Sequence, residues 1–139
     1  MPTEMDEFHN LSFYTLDHPD KEYFIHQHVV DAFQAQAADA STKPIGLVFA
    51  LIGLYLYLEK GFTGKEVQRA HMKLAENKKP WPMRPLPVQR GEITVNKVMQ
   101  SAPGPERDQM IAAWCSSVWN AYHDWHASIR AFTDHELHL

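Results

Sequence analysis

Residues 106–133 read ERDQMIAAWCSSVWNAYHDWHASIRAFT. The stretch has no proline or glycine, and Ile111, Cys115, Val118, Tyr122, Trp125, Ile129 and Phe132 recur at alternating spacings of four and three. That is the period of a helix with one apolar seam, held over about three heptads. It predicts a long last helix, packed centrally on several neighbours or sharing its seam with a second copy. Trp114 and Trp119 widen the apolar arc. Cys115 falls in the seam and reads as a small inert hydrophobe.

Helix signals also dominate on the N-terminal side, and strand alternation is nearly absent. Ile45 to Leu58 is a run of fourteen residues without a charge. A spanning helix needs about 20, so this run predicts a buried core helix. Ser41 or Thr42 caps it, Pro44 sits in its first turn, and Gly61 ends it. Gly46 and Gly53, on this helix, read as sites of close helix packing. Thr63 to Glu66 is a capping box opening a further helix to about Asn77. Thr3 caps a first helix to about Leu16, and Asp20 caps a second to about Asp39. Thr94 caps a short helix to Gln100. Pro80, Pro82, Pro85 and Pro87 exclude a helix and predict an extended crossover at 80–91, pinned by Trp81 and Leu86.

The expectation is an all-α fold: an irregular helical bundle of about four long helices and two short ones, in one domain over 1–139, with a frayed tail at 134–139. The chain has 139 residues, a net charge of −4 and a single cysteine, which excludes an internal disulfide framework and a cysteine-rich zinc module. Residues 1–7 are acidic and lack the apolar stretch of a secretory signal, so the reading is cytoplasmic with no membrane span. Charge is segregated. Lys60 to Arg90 holds eight basic residues against two acidic ones, and Lys65, Arg69 and Lys73 line one helix face. Overall acidity disfavours nucleic acid as a partner.

Nine histidines are many for this length. Helical angles sort them. His26 falls within the arc of Ile25, Val29, Val30, Phe33 and Ala37, and His28 falls away from it. His71 shares a side with Val67 and Leu74, and His126 lies beside the last seam. His26, His71 and His126 thus lean inward from three helices, the donor set of an open divalent transition-metal site for zinc, nickel, manganese or iron. Asp31 and Glu59 are the carboxylates that such a site would recruit.

Three functions follow as expectations. The first is a non-enzymatic interaction module, homodimeric through the last helix or the basic face. The second is a metal-binding bundle, hydrolase- or transferase-like if a bound water reacts. The third is a small-molecule pocket lined by Phe33, Trp119, Tyr122 and Trp125.

The stretch His26-Gln-x-x-Val-Asp-Ala32, with Trp81-Pro-x-x-x-Leu-Pro87, Trp114-x-x-x-Val-Trp119 and His126-x-x-x-Arg130, resembles an uncharacterised bacterial family of unknown function. The resemblance implies that His26, Gln27, Val30, Asp31 and His126 occupy recurring positions. It implies no activity. Relatives with an N-terminal cysteine-rich segment differ from this chain, which lacks it.

Overall fold

The computed structural model describes residues 3–17, 23–77 and 79–139. They form an all-α fold, with no strand among the described residues. The helices are α1 (Glu4–Leu16), α2 (Ile25–Ala37), α3 (Pro44–Lys60), α4 (Gly64–Leu74), α5 (Val95–Gln100), α6 (Pro105–Ala121) and α7 (His126–Leu137). Among the described residues, no helix is long and apolar enough to cross a membrane.

Local chemistry sets most of the boundaries. Thr3 and Asp6 close a reciprocal capping box on α1, and Thr63 and Glu66 close another on α4. Each box satisfies two of the amide donors that a helix start leaves open. The α3 helix carries Pro44 in its first turn and ends at Gly61, whose φ of 73° is left-handed. Its N-cap is Lys43, because the Thr42 hydroxyl instead accepts from the Asp39 amide. The α2 helix starts at Ile25, after Phe24; the expected cap at Asp20 lies outside the described residues.

The α3 helix is the centre of the packing. It lies against α2, α4, α6 and α7, and Leu51, Ile52, Leu54 and Leu56 are fully buried. A helix that is apolar all round belongs in such a place, and each of these side chains contributes about 1.5–3 kcal/mol by burial. The α2 helix is enclosed too, by α1, α3, α4 and α6. Proline keeps the 80–91 crossover extended, and side chains tie it down. The Gln36 amide donates to the carbonyls of Arg90 and Ile93 and accepts from the Trp114 indole; Arg90 donates back to the Gln36 carbonyl. Trp81 packs edge-on to Phe49 and against Phe132.

One expectation needs correction. The last element is not one helix. It breaks after Ala121, passes through a 3-10 turn at His123–Trp125, and resumes as α7. The seam is nevertheless inward on both sides of the break: Ile111, Cys115, Val118, Tyr122, Trp125 and Ile129 are all buried within the chain. The break follows from two polar heads with distant acceptors. The Tyr122 hydroxyl donates to the Ala35 carbonyl at 2.6 Å, and the Trp125 indole donates to the Pro85 carbonyl at 3.0 Å. Helix α7 continues to Leu137, and Asp134 accepts from the buried Tyr55 hydroxyl at 2.7 Å.

Candidate functional site: a groove floored by a buried carboxyl

The three inward histidines are each engaged at a different joint. His26 Nδ1 lies 3.0 Å from the Thr15 hydroxyl and ties α2 to α1. His71 donates from Nε2 to the Phe49 carbonyl at 2.8 Å, with its ring stacked on Phe49, and ties α4 to α3. His126 donates from Nε2 to the Trp119 carbonyl at 2.8 Å, and its ring stacks on that indole at 3.9 Å. The same carbonyl accepts from the Tyr122 amide at 3.0 Å, so His126 adds a second bond at the end of α6. Among the described residues, no three histidine, cysteine, aspartate or glutamate side chains are gathered as a metal site would require.

Helical angle misjudged α2. His28, expected to face away from the core, is fully buried, while His26 is half-buried. The apolar arc underweighted Ala32 and Ala35, which are also fully buried and let α3 and α6 approach closely. His28 stacks on Tyr57 at 3.6 Å, and neither ring nitrogen has a hydrogen-bond partner among the described residues. Burial pushes its pKa down to about 4. The Cys115 thiol donates weakly to the His28 carbonyl at 3.7 Å, and burial holds the thiol protonated.

Glu59 is saturated. It accepts from the Trp119 indole at 2.9 Å and twice from Arg130, at 2.8 and 2.7 Å. Arg130 keeps its carboxyl below the usual range. The four aromatic residues expected to share a pocket are dispersed. Phe33 stacks on Phe8 of α1, and Trp119 stacks on His126. Tyr122 and Trp125 line a cavity of about 200 Å³ under the crossover with Arg84, Pro85 and Asp124. Of the basic face, Arg69 and Lys73 border a cleft with Phe62 and the C-terminal Leu139, while Lys65 sits over the Phe24 ring.

Asp31 has a different environment from all of these. It is 2% exposed. One carboxyl oxygen, Oδ1, accepts from the Gln27 side-chain amide at 3.2 Å; the other, Oδ2, has no partner among the described residues. The space for that oxygen exists because residue 53 on α3 is glycine, and a Cβ there would fall on it. Burial pushes the Asp31 pKa well above the ordinary carboxylate range, so the neutral acid is favoured. Asp31 lines a groove of about 310 Å³. Gln27, Val30 and Gln34 of α2 line it together with Ile45, Gly46 and Phe49 of α3 and His71 of α4. Among the described residues, no lysine or arginine lines it. A Cβ on Gly46 would meet nothing within 4 Å, so this glycine opens the groove instead of permitting helix contact.

Sequence reading picked out Asp31 and His71 but assigned them to a metal. Gln34 was not singled out, and only its position one turn after Asp31 could have suggested it. A groove between α2, α3 and α4 with one buried carboxyl at its wall, in an all-helical scaffold, is the arrangement found here. The chain belongs to a family of unknown function, DUF5946, which matches residues 5–123. No curated protein and no solved structure matches it.

Proposed function

We propose that this protein is a non-enzymatic binding module whose ligand is a small molecule held in the groove between α2, α3 and α4. The observation that carries the reading is Asp31. A buried carboxyl oxygen without a partner costs about 1–3 kcal/mol. The Asp31 oxygen packs on Gly53 at the α2–α3 contact, and Asp31 also lines an open groove, so a ligand bound there lies beside the buried carboxyl. The groove also has the make-up of a ligand site: an apolar surface from Val30, Ile45 and Phe49 with a few convergent polar groups. The metal reading has less support, because His26, His71 and His126 each have a separate partner.

Gly46→Leu tests the proposal, since a side chain there grows into the groove and touches little else. Screening a library of small fragments by ligand-observed NMR should yield binders whose contacts map to Gln27, Asp31 and Gly46. Those binders should be lost in the variant, which stays folded by circular dichroism. Binders unaffected by Gly46→Leu would overturn the reading, and so would a screen without binders.

Self-association is a second reading, and one surface favours it. Phe13 and Leu16 on α1 are 75% and 58% exposed and border a shallow apolar cleft with His9 and Ser12. A dimer through this face should dissociate on Leu16→Glu, as read by light scattering. Wild-type protein that is monomeric at high concentration removes it.

A further inference from the structure

Self-association, the second reading above, needs a surface for α1 to meet, and a cleft beside α4 has the matching character. Resting on that reading, we propose that two copies of this chain associate head to tail. Phe13 and Leu16 of one copy enter the cleft lined by Phe62, Ala70, Leu137 and Leu139 of the other, with Asp17 set against Lys73.

The projecting side is an apolar stripe. Met5, Phe13 and Leu16 fall on one face of α1 and are 51%, 75% and 58% exposed. Single apolar side chains on a surface are ordinary, but these three share a line, and Phe13 and Leu16 border a shallow cleft together with Asp17. The stripe is flanked by acid. From Thr3 to Asp17 the chain carries Glu4, Asp6, Glu7 and Asp17 and no lysine or arginine. Asp17 caps the end of α1, where the helix dipole already places negative charge, and no basic residue in the last turn offsets it. A cation is favoured at this end, and α1 does not supply one.

The receiving side is the opposite. Its cleft, of about 310 Å³, combines the apolar lining with Arg69 and Lys73, one turn apart on α4 and both exposed. Glu66 also borders it, but that carboxylate is engaged in the α4 capping box, accepting from the Thr63 amide at 2.9 Å. Stripe and cleft belong to different helices and share no lining residue, so each chain presents both.

Charge disfavours like meeting like. Two stripes would bring two acid-flanked surfaces together, and two clefts would oppose two pairs of cations with nothing projecting to fill either. Stripe against cleft pairs opposite signs and sets the most exposed aromatic side chain of α1 into concave apolar surface. Such a contact is heterologous, so it closes into a ring or extends as an open chain. With a few side chains from each partner it falls below the roughly 1,200 Å² of a standard interface, so the association is weak and sensitive to salt.

Sedimentation velocity over a concentration series tests this with two exposed positions, Phe13→Glu on the stripe and Lys73→Glu at the cleft, each checked by circular dichroism. Wild-type mass should rise with concentration beyond that of a dimer and fall back as salt is raised. Each variant alone should associate about tenfold more weakly or worse. Mixed in equal amounts, the two should form a heterodimer that grows no further, because the Phe13→Glu chain keeps its cleft and the Lys73→Glu chain keeps its stripe. Asp17→Lys gives an independent arm: it should weaken association to a similar degree and regain it when Lys73→Glu is placed in the same chain. A dimer lost in Phe13→Glu, unchanged in Lys73→Glu and not restored by mixing would show stripe meeting stripe; that overturns the head-to-tail contact and leaves self-association standing. Wild-type protein at the mass of one chain throughout, or association indifferent to both substitutions, would remove both.

Discussion

Two buried titratable residues on α2 set opposite pH dependences. Asp31 has a folded pKa well above its unfolded value of about 3.9. Its neutral form therefore contributes stability that is fully present below that value and is lost as pH rises toward the folded one. The loss runs at about 1.4 kcal/mol per pH unit across the window. Asp31→Asn has no such window, so the difference in unfolding free energy between variant and wild type should grow from pH 4 upward, read by urea titration. A constant difference would show that Asp31 is not the source. His28 runs the other way. Its pKa falls from 6.5 to about 4 by burial, so its stability contribution is present above pH 6.5 and is lost as pH falls toward 4. The full loss is roughly 3 kcal/mol. His28→Leu, which leaves no unpaired ring nitrogen behind, should flatten the acid limb and hold or raise Tm at pH 7. A lower Tm with the acid limb unchanged would point to a role for the ring beyond packing on Tyr57.

At the level of the helix, α3 holds two glycines seven residues apart with opposite roles. A Cβ at Gly53 lands on the Asp31 carboxyl, whereas one at Gly46 meets open space. Gly46→Ala should therefore stabilise by about 0.5–1 kcal/mol through helix propensity alone. Gly53→Ala should destabilise by about 1–3 kcal/mol despite the same propensity gain, because α2 must move off α3. Adding Asp31→Ala should restore part of the loss, since the clash partner is gone. Thermal melts of the three variants decide it; equal effects at 46 and 53 would contradict the packing described here. Sequence reading treated the two positions alike. Both are glycines in an apolar helix, and only the neighbour across the interface distinguishes them.

Across the whole molecule, Gln36 joins three distant segments. It bonds the crossover carbonyls at Arg90 and Ile93 and receives the Trp114 indole of α6. Gln36→Ala leaves those groups without partners, a loss of about 2–4 kcal/mol if two of them stay buried. The released segment should be the crossover, so protease cleavage and amide exchange should rise first between residues 80 and 93. Uniform destabilisation without a preference for that segment would place the joint elsewhere.

Much of the architecture was legible in residue order. The Thr3 cap, the capping box at Thr63, proline at 44, glycine at 61 and the four prolines of the crossover act through their own backbone and nearest neighbours. Signals of that kind survive without a fold. The apolar seam from Ile111 to Ile129 was also legible, because burial follows the helical period on both sides of the break. The break at Tyr122 was not legible, since its cause is a pair of acceptors on α2 and the crossover, at Ala35 and Pro85. The histidines show the same division. Their residue types and approximate faces lie in the sequence, and that was enough to place His71 toward the core. Whether imidazoles from three helices meet depends on how those helices cross, and here each ring finds its own hydrogen-bond partner first. The buried carboxyl of Asp31 was visible as a residue and hidden as a site. Its burial comes from alanines on α2 and a glycine on α3 that bring the two backbones together, and closeness between segments is a property of the folded chain alone.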